Sequence, residues 1–232
     1  TSGRTTLNGE GLQHQDGHSH ILSSTIPNCK SYDPAYGYEL AVIIEHGLKE
    51  MYKDKKNYFY YITVTNERYV QPPKPKGKDV DSNIIKGMHR ISKTKKPQIR
   101  LLGSGAILNE SIRASEMLSD FGIESEVWSV SSFNMLRKDG MEVENENVKN
   151  ASNKSKESFV TKSFSEHDIP TVASTDYMRA YSEQIRPYIN SPYYTLGTDG
   201  FGRSDSRAKL REFFEVDARS ICLLYTSPSP RD

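Results

Sequence analysis

The sequence has few cysteines, no long apolar run and almost no excess of charge. Its two cysteines, Cys29 and Cys222, lie far apart, which indicates a reduced intracellular protein rather than a disulfide framework. No apolar stretch approaches the length of a bilayer span, and no charged-then-apolar signal segment opens the chain. The 31 basic and 30 acidic residues leave a net charge of +1, so electrostatics favours neither nucleic acid nor an anionic membrane as a partner. We therefore predict a soluble cytoplasmic protein.

The 232 residues are enough for one large or two modest domains. Residues 71–78 are rich in proline and lysine and poor in apolar side chains, which is typical of a linker. A short helix is predicted near residues 80–88. The domain boundary is placed here, with residues 1–74 in the first domain, residues 75–97 as linker and short helix, and residues 98–219 in the second domain.

The first domain contains a predicted helix and a predicted strand. Asp33 is the expected N-cap and Pro34 the first helical residue, and the helix is expected to run to Tyr52. Its apolar residues recur at helical spacing and predict a core-facing side: Ala41, Ile44, Leu48 and Met51. Residues 58–65 are aromatic and β-branched and predict a buried strand.

The second domain alternates predicted strands with predicted helices. Strands are expected at residues 98–102, 126–130, 171–174 and 193–196, and helices at residues 108–121, 176–188 and 204–214. Gly122 is the expected residue that ends the first of these helices. Such alternation predicts an α/β fold with a doubly wound, mostly parallel sheet. Residues 139–168 are polar and are predicted to form a loop with little core contact.

Two glycine-containing turns suggest anion binding by their pattern. Gly103-Ser104-Gly105 lies between a strand and a helix, but Leu108 stands where a dinucleotide fingerprint has its third glycine. We therefore interpret it as a simple strand-to-helix turn. The loop at residues 197–203 precedes a helix and contains Arg203, and we interpret it as structural or regulatory.

The most informative segment is the opening run, with three histidines, two carboxylates and three glycines between residues 6 and 20. Glycine lets the backbone approach a ligand closely, and histidine exchanges protons near neutral pH. Glu10 and His14 in such a loop suit general acid–base chemistry. Two alternatives stay open: a solvated surface loop, and a zinc site from His14, His18, His20 and Asp16, although Gly17 argues against the helix that such spacing requires.

Read as a whole, the sequence closely resembles the homodimeric, bacterial-type pyruvate dehydrogenase family, the thiamine-diphosphate-dependent decarboxylases of the pyruvate dehydrogenase complex. The matching blocks are residues 1–14, 16–20, 25–29, 31–36, 173–178 and 196–205. More distantly, the opening loop is similar to a transketolase loop. The resemblance implies the end of a pyrimidine-binding α/β domain followed by a transketolase-type C-terminal α/β domain with a mostly parallel sheet.

The resemblance also implies an activity and its residues. Members decarboxylate pyruvate with thiamine diphosphate and Mg, and transfer the acetyl group to a lipoyl group on an acyltransferase partner. His14 matches the substrate-facing histidine and Glu10 an active-site carboxylate near it, whereas no role is implied for His18 and His20. The family's Gly-Asp-Gly…Asn cofactor motif and activating glutamate are not in this sequence. The resemblance therefore implies no cofactor or metal ligand within this chain, which is expected to be inactive alone.

Two other function classes remain possible from the sequence: another 2-oxo-acid decarboxylase or transketolase-like enzyme, and a non-catalytic dimerisation or regulatory module. The family pattern holds through residue 218. Residues 220–232 then show no helical period and contain two Ser-Pro steps, which oppose helix. These residues are predicted to be a non-native tail that packs poorly.

Overall fold

The computed structural model describes residues 3–9, 11–150 and 155–226. Helices and strands alternate along most of this part of the chain. In order they are α1 (Ser19–Ser24), β1 (Cys29–Tyr32), α2 (Gly37–Leu48), β2 (Phe59–Ile62), α3 (Val80–Lys86), β3 (Met88–Ser92), β4 (Ile99–Gly103), α4 (Leu108–Asp120), β5 (Ser125–Val130), α5 (Phe133–Lys149), α6 (Phe159–Phe164), β6 (Thr171–Ser174), α7 (Ala180–Glu183), β7 (Tyr193–Leu196), α8 (Arg207–Phe213) and α9 (Ala218–Thr226).

The larger sheet has five strands in the order β3-β5-β4-β6-β7. Strands β4 to β7 pair in parallel, and β3 joins the edge antiparallel to β5. Every residue of β4 is buried, because helices cover both faces of a parallel sheet. The predicted α/β fold with a mostly parallel sheet is confirmed. Strand β3 is not among the predicted strands, and it lies within the stretch interpreted as linker and short helix.

The first part of the chain contains a smaller parallel pair. Strand β1 pairs with β2 from Cys29 opposite Phe59 to Tyr32 opposite Ile62, and α2 lies between the two strands in the chain. Tyr32 and Ile43 are fully buried together with Ile84 of α3, so the helix after the proline-rich stretch packs back onto this pair. Because β1 ends at Tyr32, the next residue, Asp33, lies at its carboxyl end.

Helix α2 differs from its prediction at both its start and its exposed side. It begins at Gly37 rather than Pro34, because the Glu39 side chain accepts hydrogen bonds from the backbone N–H groups of Ala35 and Tyr36 and fixes a turn there. The predicted core-facing side is wrong within the described chain, since Ala41, Ile44 and Leu48 are exposed. The side of α2 that is buried contains Glu39, Ile43 and Gly47.

The loop predicted over residues 139–168 is also wrong. Helix α5 extends to Lys149, and α6 follows at Phe159–Phe164, with residues 151–154 outside the described part. Ser132 caps α5 by accepting a hydrogen bond from Met135 N, and Leu136 is fully buried. Gly140 gives room for the Tyr188 ring, which a methyl group there would overlap. The polar composition therefore reflects the solvent-facing side of a helix rather than a loop.

Two further helices are shorter than predicted. The helix expected at residues 176–188 is replaced by α7 and a separate 3₁₀ turn at Arg186–Tyr188. Its first residues are not helical, because the backbone carbonyls of Asp176 and Tyr177 accept hydrogen bonds from Arg4 N and Thr198 N. The helix expected at residues 204–214 begins at Arg207, where Ser206 accepts a hydrogen bond from Lys209 N. Gly122 has φ of 73° after α4, as its predicted role requires, and Phe121, the last residue of the predicted helix, is exposed.

The predicted poor packing after Ser220 is contradicted over the described residues. Helix α9 continues to Thr226, because the two Ser-Pro steps begin only at Ser227, in the part that the structure does not describe. Ile221 is fully buried against α4, and the Cys222 thiol donates a hydrogen bond to the Ala114 carbonyl at 3.3 Å. The non-native origin of residues 220–232 stays a prediction.

A conservative substitution at a buried residue of α9 tests how much this packing contributes to stability. We expect Ile221→Val to lower the free energy of unfolding by about 1 kcal/mol, because it removes one buried methylene. Ile44→Val is the control, since Ile44 is 45% exposed and the same group is removed from a position that water already reaches, so it is expected to cost less. Urea unfolding of the two variants gives both values. Equal stability of Ile221→Val and the parent chain would show that α9 does not pack as described.

The fold also bears on membrane insertion. Within residues 3–9, 11–150 and 155–226, no helix has the length and apolar character that crossing a membrane requires.

Candidate active site

The opening loop (residues 3–9 and 11–16) docks at the carboxyl end of β6. The Asp176 carboxylate, two residues beyond that strand, accepts hydrogen bonds from Thr5 N at 2.8 Å, Thr5 Oγ1 at 2.6 Å and Thr6 Oγ1 at 2.6 Å. A side chain on Gly3 would overlap Asp176, so the close approach requires glycine there. In parallel α/β sheets ligands bind outside the carboxyl ends of the strands, which is where this loop lies.

Charge at this docking point is buried. Burial raises the pKa of Asp176, and the hydrogen bonds from Thr5 and Thr6 act against that shift. Arg4 is also buried, and its guanidinium donates to the Thr198 carbonyl. Burial lowers the pKa of Arg4, while Asp16, Asp199 and Asp176 act in the opposite direction. A buried arginine surrounded by carboxylates ties the loop electrostatically to the second domain.

A second anchor joins the opening loop to the 197–203 loop. The Gln15 side chain accepts a hydrogen bond from Arg203 N at 2.8 Å and donates to the Arg203 carbonyl at 2.5 Å. It also donates to the Leu7 carbonyl at 3.2 Å. Gly9 N donates to the Asp205 carbonyl at 3.1 Å. The 197–203 loop, interpreted from the sequence as structural or regulatory, supports the segment that bears His14.

His14 itself is exposed. It closes a 3₁₀ turn at Leu12–His14, where its backbone N–H donates to the Gly11 carbonyl at 3.0 Å, and no residue of this turn is buried. The imidazole is therefore accessible to a molecule that occupies the space above the loop. Glu10, its predicted neighbour in the site, lies outside the described residues. The catalytic roles of His14 and Glu10 stay predictions.

The other two histidines of the run have separate surroundings. Asp16 Oδ1 accepts hydrogen bonds from the backbone N–H groups of His18 and Ser19 at 3.0 Å each, which caps α1. The exposed His18 ring lies against the Arg4 guanidinium, with Nη2 3.4 Å from Nε2. The Asp16 side chain thus caps α1, and the His18 ring packs against Arg4.

His20 is fully buried, which contradicts the zinc alternative. Its Nε2 lies 3.0 Å from Thr63 Oγ1, and its ring stacks on Tyr181 at 4.8 Å between centroids. Because the Thr63 hydroxyl donates to Asp33 Oδ1 at 2.7 Å, its oxygen accepts from His20, and Nε2 carries the proton. Burial lowers the pKa of His20 to about 3, so the ring is neutral. His20 is a core residue that faces away from solvent.

The N-cap role predicted for Asp33 is wrong. Instead of capping a helix, Asp33 lies buried where the two parts of the chain meet, with its backbone carbonyl accepting from Gly105 N at 3.1 Å. Burial, helped by the Asp176 charge, raises the pKa of Asp33 to about 7. A cavity of about 10 Å³, roughly one water in size, is lined by Asp33, Asp176 and Thr63 among others. The available signal was an acidic residue at the carboxyl end of a short β-strand.

The Gly103-Ser104-Gly105 turn is filled by protein, as the simple-turn interpretation requires. A side chain on Gly103 would lie 2.5 Å from the Leu108 Cα, and one on Gly105 would lie 2.5 Å from Asp33 Oδ2. Gly105 also has φ of 50°. These glycines allow the helix and Asp33 to approach the strand.

Comparison with solved structures defines the class of fold. The chain resembles transketolase from Campylobacter jejuni with a TM-score of 0.70 over 98% of this chain and 30% of that chain, at 16% identity. Transketolase from Leishmania mexicana gives a TM-score of 0.70 over 96% and 28%, at 14% identity. The protein is therefore a transketolase-like α/β protein, and at these identities the likeness concerns the fold alone.

Sequence comparison identifies the family. The pyruvate dehydrogenase E1 component middle domain matches residues 1–72, and the transketolase-like C-terminal domain matches residues 87–217. The pyruvate dehydrogenase E1 component of Pseudomonas aeruginosa is 56% identical over 96% of this chain and 26% of its own length. That of Escherichia coli is 51% identical over 95% and 25%. The chain belongs to the pyruvate dehydrogenase E1 component family and spans about a quarter of the length of these curated relatives.

Proposed function

We propose that this chain is part of an enzyme that decarboxylates pyruvate with thiamine diphosphate and Mg and passes the acetyl group to a lipoyl group on an acyltransferase. We further propose that the enzyme is a cytoplasmic homodimer. The observation that carries the proposal is the similarity to pyruvate dehydrogenase E1 components, at 56% and 51% identity over nearly the whole chain. The likeness to transketolases, at 14–16% identity, supports the fold and not a sugar substrate.

The described residues do not fit a complete cofactor site. Among residues 3–9, 11–150 and 155–226, no group of three or more histidine, cysteine or acidic side chains could hold a metal ion. Asp176 at the docking point and Asp33 at the junction are buried, and the Asp176 oxygens already accept hydrogen bonds from Thr5 and Thr6. We therefore assign no cofactor ligand to these residues and derive no step through the cofactor.

The contribution proposed for this chain is a hydrogen-bond and proton donor at the substrate. The exposed imidazole of His14 stands on a loop that is anchored on both sides of its turn, by Thr5 and Thr6 on Asp176 and by Gln15 on Arg203. From there a ring N–H would donate to the pyruvate carboxylate or to an oxygen that gains negative charge in the reaction. Glu10, in this proposal, sets the orientation and charge of that imidazole.

The 232-residue chain and the complete gene product together test where the cofactor binds and which substrate is used. We expect the 232-residue chain alone to show no heat of binding when titrated with thiamine diphosphate in the presence of Mg, and no CO₂ release from pyruvate. The complete gene product is expected to bind the cofactor and to release CO₂. Micromolar binding by the chain alone would show that the cofactor site is misplaced. Turnover of sugar phosphates but not pyruvate by the complete protein would contradict the proposed substrate.

A further inference from the structure

We propose that Gln15 is a positioning residue for His14, and that its amide fixes the histidine turn on the backbone of the 197–203 loop. The proposal rests on the proposed function, because it concerns how the reactive imidazole is held. Gln15 directly follows His14, yet His14 is exposed whereas Gln15 is 8% exposed. One residue thus faces the solvent and the next faces the protein.

The Gln15 amide uses both its donors and its acceptor. A primary amide offers two N–H donors and one carbonyl oxygen. Here the nitrogen donates to the carbonyls of Leu7 and Arg203, and the oxygen accepts from Arg203 N. The paired bonds to Arg203 engage both the N–H and the carbonyl of one residue, and the bond to Leu7 joins the two sides of the histidine turn. A side chain that only filled space would not need this directional set.

The histidine turn depends on such an anchor because it has little packing of its own. The Leu12–His14 turn buries no residue, and Gly9 and Gly11 lie on its N-terminal side. Glycine loses more conformational freedom on ordering than other residues, so this loop is costly to fix. Small displacements of a reacting group lower rates strongly. Rigid placement of the imidazole therefore requires contacts outside the turn, and Gln15 is the nearest one.

The 197–203 loop leaves room for the Gln15 side chain. A methyl group on Gly202 would overlap the Gln15 amide oxygen, so the residue before Arg203 must be small for the amide to reach the backbone. Gly202→Ala thus disturbs the contact from the other side without changing any side chain of the opening loop. Gly202→Ala and a substitution that removes the Gln15 amide are expected to have the same consequence for His14.

The test uses Gln15→Met in the full-length enzyme, because methionine keeps the length of the side chain and removes its hydrogen bonds. We expect kcat/KM for pyruvate to fall about tenfold, with most of the loss in kcat. In a His14→Ala background the same change is expected to add nothing further, since there is no imidazole left to position. Gln13→Met is the matched control, because Gln13 flanks His14 on the other side and is exposed.

A second readout does not depend on activity. Trypsin cleavage after Arg203, followed by mass spectrometry on this chain, is expected to be faster in Gln15→Met and Gly202→Ala than in the parent, because both variants free the Arg203 backbone. Unchanged cleavage and unchanged kinetics in Gln15→Met, alongside an impaired His14→Ala enzyme, would overturn the positioning role alone. A rate loss in Gln15→Met of the same size with and without His14 would also overturn it. A normal His14→Ala enzyme would instead remove the proposed function.

Discussion

We expect His14→Ala in the full-length enzyme to lower kcat and kcat/KM together by about 10²–10³-fold, equivalent to roughly 3–4 kcal/mol of transition-state stabilisation. The reason is that the exposed imidazole is proposed to meet charge that develops during the reaction rather than charge present in bound pyruvate alone. Such a contact contributes more to the transition state than to the substrate complex. Steady-state kinetics with pyruvate, at saturating thiamine diphosphate and Mg, measures both parameters.

The neighbouring residues provide the controls for this experiment. His18→Ala removes another exposed histidine of the same segment and is expected to leave kcat near the parent value. Glu10→Ala is expected to act in the same direction as His14→Ala but more mildly, because its proposed role is to orient the imidazole. Cofactor affinity is expected to change little in all three variants. Parent-like kinetics for His14→Ala would favour the surface-loop alternative.

Strands and helices of the second domain were predictable because their patterns are local. Residues 171–174 and 193–196 were predicted at the bounds where the structure has β6 and β7. Strand β3 was missed because it is an edge strand of mixed polarity, with only its first two residues buried. The polar stretch after residue 139 was misread because a helix covered on one side only has polar residues on the other.

Helix α2 shows that the spacing of apolar residues does not by itself identify the buried side of a helix. The spacing of Ala41, Ile44 and Leu48 identifies one side of a helix correctly, but in the described chain that side is exposed. The buried side is occupied by Ile43 together with Glu39, whose charge would have excluded it from any prediction based on hydropathy. Glu39 is accommodated because Ser129 and the backbone N–H groups of Ala35 and Tyr36 donate to it. Those partners are distant in sequence or depend on an irregular turn.

The candidate site was only partly predictable for the same reason. The exposed His14 follows from a polar, glycine-rich run, and the resemblance supplied its proposed role. The contacts that hold the run join residues about 170 to 190 positions apart, as in Thr5 with Asp176 and Gln15 with Arg203. Their residue types are common, and only the fold brings them together. His20 belongs to the same run of the sequence but is directed into the core by α1.

We expect Asp33→Asn to make this chain more stable at high pH and to change its stability much less at low pH. In the fold the pKa of Asp33 is raised from 3.8 to about 7 by burial. The favourable contribution of the protonated carboxyl is therefore fully present below about pH 4 and is lost as the pH rises through about 7. Asparagine keeps an oxygen to accept from Thr63 Oγ1 and carries no charge at any pH.

The size of this effect follows from the shift. A difference of about three pKa units corresponds to about 4 kcal/mol, so the variant is expected to exceed the parent by up to about 4 kcal/mol at pH 8 and by much less at pH 5. Urea unfolding at both pH values measures the difference. Asp54→Asn is the control, since Asp54 is exposed and its replacement is expected to give no such pH dependence. If the stabilities of the parent chain and of the Asp33→Asn variant differ by the same amount at both pH values, the Asp33 carboxyl is not held neutral at the junction.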